Sequence, residues 1–137
     1  MEAKNLMVGD LVYNHRNWAC PIVEIHKDSA VVIARHYSEE EFKLDDLKPI
    51  PITQEILEKN GFVANKHVYP YPYYEYENEK VKLKIGFAFP QGNKTSYKEP
   101  WVCIDSEYVY VEHLPCIYVH QLQHALRLCK IEKEIIL

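Results

Sequence analysis

The chain has 137 residues, enough for one domain or two very small ones. Sixteen Lys and Arg against twenty Asp and Glu give a formal charge of −4, which argues against a dedicated polyanion binder. No apolar run approaches the roughly 18 residues that cross a bilayer, and the 47% apolar and 26% charged fractions are those of a soluble globular protein.

The first fifty residues read as short strands. Val8-Gly9-Asp10-Leu11-Val12-Tyr13 enters a strand through two turn-forming residues. Cys20 to His26 alternates around Ile22, Val23 and Ile25, and Lys27-Asp28-Ser29 supplies a turn. Ala30 to Ala34 is a continuous apolar run, which predicts a strand buried on both faces. Glu41-Phe42-Lys43-Leu44 alternates as a half-exposed strand does. Closely spaced short strands of this kind predict a small SH3-like barrel.

Lys48-Pro49-Ile50-Pro51 punctuates the chain, because both prolines remove backbone donors. A short helix over residues 54 to 60 follows. Thr53 is its N-cap, Ile52 and Leu57 have the spacing of a hydrophobic staple, and Glu55 complements the helix dipole. Gly61 can take the left-handed conformation that ends the helix, with Phe62 folding back on Ile56 or Leu57.

His67 to Glu77 holds five tyrosines, and Pro70 and Pro72 predict an edge strand or an extended arm. Asn78-Glu79 is a turn. Lys80 to Ile85 alternates, with Val81, Leu83 and Ile85 inward and the three lysines outward. Gln91 to Pro100 is a loop. Trp101 to Ile104 and Tyr108 to Val111 form two more strands across Asp105-Ser106, completing a meander of about four. From Pro115, tolerable in a first turn, to Lys130 the spacing of Tyr118, Leu122, Ala125, Leu126 and Cys129 predicts a helix packed on that meander. Ile131 to Leu137 is a further turn or a frayed tail.

The residues 49–62, Pro-Ile-Pro-Ile-Thr-Gln-Glu-Ile-Leu-Glu-Lys-Asn-Gly-Phe, resemble a PIPLTEEILLKNGF segment. Ile117-Tyr118-Val119-His120-Gln121-Leu122-Gln123 resembles a YVHQLQN segment. Both occur, in this order, in a family of small uncharacterised proteins of Bacteroidetes-type bacteria and their phages, whose members often open with a strand like Gly9-Asp10-Leu11-Val12. The chain departs from the pattern at His124, usually Asn, and over Ala125 to Lys130, where the pattern reads LYFALTG. The resemblance implies a cytoplasmic protein of phage or mobile-element type, and it names no catalytic residue.

Four cysteines stand at positions 20, 103, 116 and 129, none spaced as Cys-x-x-Cys. No apolar export segment opens the sequence, so buried free thiols in a cytoplasmic protein are expected. His113, Cys116, His120 and His124 are spaced three, four and four apart. On one helix the three histidines fall on one side, and an i, i+4 histidine pair can reach a single metal ion. That face lies opposite the apolar stripe, so it is expected to meet solvent or a partner. The glutamate that acts as base in a zincin motif is missing, since Gln121 and Leu122 follow His120. Cys116 is the one candidate for a reactive thiol.

Tyrosines beside Lys80, Lys82 and Lys84 suit base stacking and phosphate neutralisation, but Glu75, Glu77, Glu79 and Glu99 lie among them. The acidic runs Glu39-Glu40-Glu41 and Asp45-Asp46 read as solvated turns, because neighbours on a strand point to opposite faces. No nucleophile elbow, P-loop or dinucleotide fingerprint occurs.

The expected fold is α+β, mainly β. An SH3-like barrel over 1–50 is followed by 51–137, a short helix and an antiparallel meander closed by a C-terminal helix. The expected function is a non-enzymatic interaction module that engages a protein or itself, with no cofactor and no membrane partner. Its expected contact residues are Tyr69, Tyr71, Tyr73, Tyr74, Tyr76, His120, Gln123 and His124. The rigid, proline-bearing tyrosine arm carries this expectation. The alternatives are a metal-binding protein or metal-dependent enzyme centred on His120 and His124, and a nucleic-acid-binding small barrel.

Overall fold

The computed structural model describes residues 1–34, 38–65, 73–78, 81–86, 101–106 and 110–137, with positions 65, 73, 83–86, 101, 111–113 and 115 given by their backbone. The protein is α+β and mainly β, with two antiparallel sheets and one main helix. It divides into two compact units. Met1–Pro51 and Tyr118–Gln123 make the first, Ile52–Ile117 and His124–Leu137 the second.

In the first unit a 3-10 turn at Ala3–Asn5 precedes β1 (Leu11–Tyr13), β2 (Ala19–Ile25), β3 (Ser29–Ile33) and β4 (Glu39–Lys43). A second 3-10 turn, Leu44–Asp46, leads to β5 (Lys48–Pro49). The strand order is β4-β3-β2-β1-β5, and every pairing is antiparallel. The sheet is open, so the closed SH3-like barrel expected for 1–50 is not found. The chemistry of its edges fits that result. β5 has two residues, one of them a proline with no N–H to donate, and β4 carries three exposed glutamates.

One face of this sheet is the core. Val12, Cys20, Ile22, Ala30 and Val32 point into it, and Leu6, Leu44 and Leu47 complete it. β3 alternates strictly, with Ala30 and Val32 buried while Val31 and Ile33 are half-buried. The Ala30 to Ala34 run is thus buried on one face, not two, because a single open sheet has only one covered side. Between β1 and β2 the loop is tied by Asn14, whose Oδ1 accepts from Arg16 N at 2.9 Å and Trp18 N at 3.1 Å. Asn17 takes the left-handed conformation there, with φ of 58°.

The second unit opens with α1 (Gln54–Lys59), and its ends are those the residues predict. The Thr53 hydroxyl accepts from Ile56 N at 3.2 Å. Gly61, with φ of 84°, donates to Glu58 O, and Phe62 donates back to Leu57 O. That pair of bonds is a Schellman motif, sealed by buried Leu57 and Phe62. Five strands follow: β6 (Val63–Asn65), β7 (Tyr73–Glu77), β8 (Val81–Gly86), β9 (Trp101–Ser106) and β10 (Tyr110–Pro115). They form a meander in the order β10-β9-β8-β7-β6.

Three expectations change here. β7 is an inner strand, paired with β6 and β8, because it begins after the two prolines. Asp105 and Ser106, expected between two strands, belong to β9, where Asp105 pairs with Tyr110. Pro115 belongs to β10, where it pairs with Trp101, so it does not start the helix. Pro70, Pro72 and the Gln91–Pro100 loop lie outside the described residues.

The main helix, α2, spans Val119–Leu128. Gln121 Oε1 reaches back to Tyr118 N at 3.0 Å, the half of a capping box that satisfies an orphan amide. At the other end Lys130 has φ of 58°, Lys130 N donates to Arg127 O, and Ile131 N donates to Leu126 O. This is a second Schellman motif, with Lys where Gly is usual. Residues Tyr118 to Gln123 count with the first unit and His124 onward with the second. Along α2 Leu128 is exposed, at 49%, and the other residues are buried or half-buried.

Candidate functional site

The residues expected to contact a partner do not form one exposed face. Tyr69 and Tyr71 lie outside the described residues, and Tyr73 is described by its backbone, paired with Asn65 and Gly86. Tyr74 is buried, and its hydroxyl donates to Glu58 Oε1 at 3.2 Å. Burial, then the Glu58 hydrogen bond and charge, push the Tyr74 phenol up from its usual value. Tyr76 is half-buried. Its ring lies 5.2 Å from that of Phe62, and Lys133 Nζ stands 5.8 Å from its centroid. Both tyrosines whose side chains are described therefore face inward, as alternate residues of an inner strand.

The helical residues differ from expectation for another reason. His113 is in β10, so it shares no helix with His120 and His124. His120 and Gln123 are buried and His124 is half-buried, so the predicted solvent-facing placement does not hold for the first two. The His120 ring stacks on Tyr118, with centroids 5.7 Å apart and planes 9° from parallel. Gln123 is spent on the backbone of the first unit. Its Nε2 donates to Gly9 O at 3.0 Å, and its Oε1 accepts from Leu11 N at 2.9 Å. A buried primary amide satisfied at both ends costs little, whereas either end alone would be expensive.

Among the described residues, no group of three or more His, Cys, Asp or Glu side chains is arranged to hold a metal ion. The His113 side chain lies outside them. All four cysteines are free thiols, and Cys20, Cys116 and Cys129 are buried as expected. Cys103 is half-buried. Burial pushes the Cys116 thiol up to about 12. Burial thus favours the protonated thiol, the opposite of an activated nucleophile. Lys82, one of the three strand lysines, is held by Glu77 at 3.2 Å and Glu75 at 3.9 Å. Its charge is already neutralised by its own sheet.

Comparison with protein-family models, with curated proteins and with solved structures finds no match. No helix among the described residues is long and apolar enough to cross a membrane.

What the sequence reading missed lies on the rims of the sheets. Tyr110 is 65% exposed and Leu114 41% exposed on β10, the outermost strand at one edge of the second sheet. Val63, on β6 at the opposite edge, is 69% exposed. The first sheet ends in Glu39, Glu40 and Glu41 on β4 and Pro49 on β5, and β10 itself holds Glu112 and Pro115. The signal available in the sequence was Val63 directly after a buried Phe62, since neighbours on a strand point opposite ways.

Proposed function

We propose that the protein is a non-enzymatic binding module, and that it engages a protein partner along β10. The observation that carries this reading is the exposure of two large apolar side chains, Tyr110 and Leu114, on β10, an outermost strand. β10 also holds Glu112 and Pro115, residue types that discourage indiscriminate pairing along an edge. An edge of that kind suits strand addition, in which the backbone supplies affinity and alternate side chains supply choice of partner. Tyrosine is also among the residue types that dominate binding energy when covered.

The phage or mobile-element type follows from the two motifs at 49–62 and 117–123 alone. The finer reading of the first unit as an SH3-like small barrel rests on its five short antiparallel strands and the 3-10 turn before the last.

The test is a paired substitution, Tyr110→Lys with Leu114→Lys. A partner captured with the unaltered chain is purified, and its affinity is measured against both forms. At least a tenfold loss is expected, with stability changed by no more than about 0.5 kcal/mol, as for other surface substitutions. Equal affinity for both forms would remove β10 from the interface. Stoichiometric metal in untagged protein, lost in His120→Ala, would favour the His120/His124 metal reading instead. Salt-dependent binding of DNA or RNA would favour the nucleic-acid reading.

A further inference from the structure

The sequence contains one Asn-Gly step, Asn60-Gly61, at the C-terminus of α1. Asparagine before glycine is the pair most open to deamidation, because glycine has no Cβ to obstruct attack by its backbone nitrogen on the asparagine side chain. In this fold both reacting groups are occupied. Gly61 N donates to Glu58 O at 3.2 Å. Asn60 is 1% exposed, and its amide takes part in three hydrogen bonds. Nδ2 donates to Ile56 O at 2.7 Å and to Ile136 O at 2.7 Å, while Oδ1 accepts from Ile136 N at 2.8 Å.

Two of those three bonds come from one residue of the segment 131–137. That segment belongs to no strand or helix. Its anchors are buried Ile135 and half-buried Ile131 and Lys133, while Glu132, Glu134 and Ile136 are exposed. A segment with so little burial and no ladder of backbone bonds opens at a lower free energy than the strands and helices of a core. When it opens, Asn60 keeps only its bond to Ile56 O, and water reaches the amide.

We propose that Asn60 is a deamidation site guarded by residues 131–137, and that its reaction releases them permanently. In the opened state Gly61 N loses its proton to solvent base and bonds to Asn60 Cγ. The Cγ–Nδ2 bond breaks, and Nδ2 takes a proton from water and leaves as ammonia. A water molecule then opens the succinimide ring at either carbonyl, which leaves aspartate or isoaspartate at position 60. The sum is one water consumed and one ammonia released, with no oxidant or reductant. The product cannot rebuild the clamp. A carboxylate has no hydrogen to donate, so Ile56 O and Ile136 O would both face an acceptor. Isoaspartate also lengthens the backbone just before Gly61, where α1 is capped. This site is independent of the binding reading above.

The test incubates full-length chains at mildly alkaline pH and follows Asn60 by peptide mass mapping. The unaltered chain is expected to react about a hundredfold more slowly than the same chain in urea. Ile135→Ala loosens the segment without altering Asn60 or Gly61, and is expected to speed the reaction about tenfold or more. Ile104→Val, in the buried part of β9 in the same unit, controls for general loss of stability. It is expected to stay within about twofold of the unaltered chain. Equal rates in the unaltered and Ile135→Ala chains would overturn the proposal. So would acceleration by Ile104→Val equal to that by Ile135→Ala. Asn60→Asp reads the release directly, and hydrogen exchange at Ile136 N is expected to quicken about tenfold. Unchanged protection there would show that the product still holds the segment, and would overturn its permanent release.

Discussion

The rings of His15 and Phe42 lie 5.4 Å apart and 43° from parallel, although His15 follows β1 and Phe42 belongs to β4. β2 and β3 stand between those strands in the sheet order. At about 4.8 Å per strand, a flat sheet would hold them about 14 Å apart. The loop after β1 and the reach of both side chains close that gap. Phe42→Ala is expected to cost about 2 kcal/mol in denaturant melts, less than a fully buried Phe. In a double-mutant cycle with His15→Ala, a coupling of about 0.5–1 kcal/mol is expected. Strict additivity would mean that the ring contact contributes nothing.

Gln123 offers a sharper test, because its two bonds are of opposite kind. Gln123→Leu strands Leu11 N and Gly9 O together and is expected to lose about 2–4 kcal/mol. Gln123→Glu keeps an acceptor for Leu11 N but sets a carboxylate against Gly9 O. Its folded pKa should be raised, so the neutral acid is the better tolerated form. That variant is expected to melt closer to the parent at pH 4 than at pH 7. A pH-independent difference would refute the assignment of the amide donor.

The two Schellman motifs predict substitutions of opposite sign. An alanine Cβ at Gly61 would meet the Tyr76 ring at 3.8 Å, an ordinary contact, so the cost is conformational. Gly61→Ala is expected to destabilise by about 1 kcal/mol, and Lys130→Gly to stabilise by a similar amount. Thermal melts at one protein concentration read both. Two shifts of the same sign would contradict the left-handed assignments.

Cys116 predicts an alkaline limit. Its thiol has a folded pKa of about 12 against an ordinary value of 9.0, so the protonated form is favoured by folding. The resulting stability is fully present below pH 9 and is lost progressively as pH rises toward 12. At most about 4 kcal/mol is involved. Tyr74, also raised by burial, acts in the same direction. Cys116→Ala is expected to lower stability at pH 7 while flattening its decline above pH 9. An unchanged slope would place the alkaline loss elsewhere. At pH 8, half-buried Cys103 should react with a thiol reagent before the three buried cysteines.

Local signals were legible in the sequence and long-range ones were not. Thr53, Gly61 and Phe62 announce α1 because a cap and a Schellman motif are written within ten residues. The strands β2 and β8 were visible through alternation, β3 through a continuous apolar run, and β7 only as an edge strand or extended arm. β5 and β6 were not, since two or three residues carry no period and β5 contains a proline. The histidine face was misread because Pro115 fits a helix start as well as a strand end, and only pairing with Trp101 decides between them. Gln123 was expected to meet a partner, and nothing in the sequence pointed to its role inside the fold. Its partners lie 112 and 114 residues away, and a glutamine on a helix reads as solvated until something covers it.

The first unit is assembled from two pieces of chain, Met1–Pro51 and Tyr118–Gln123, and that has a consequence during synthesis. A ribosome adding roughly 5–20 residues per second needs roughly 4–14 s to pass from Pro51 to Gln123. For that interval the five strands of the first sheet exist without the amide that closes the Gly9–Leu11 backbone. The first sheet can begin to fold, but β1 waits for α2. A chain halted before Gln123 would leave that backbone open to water, to chaperones and to proteases.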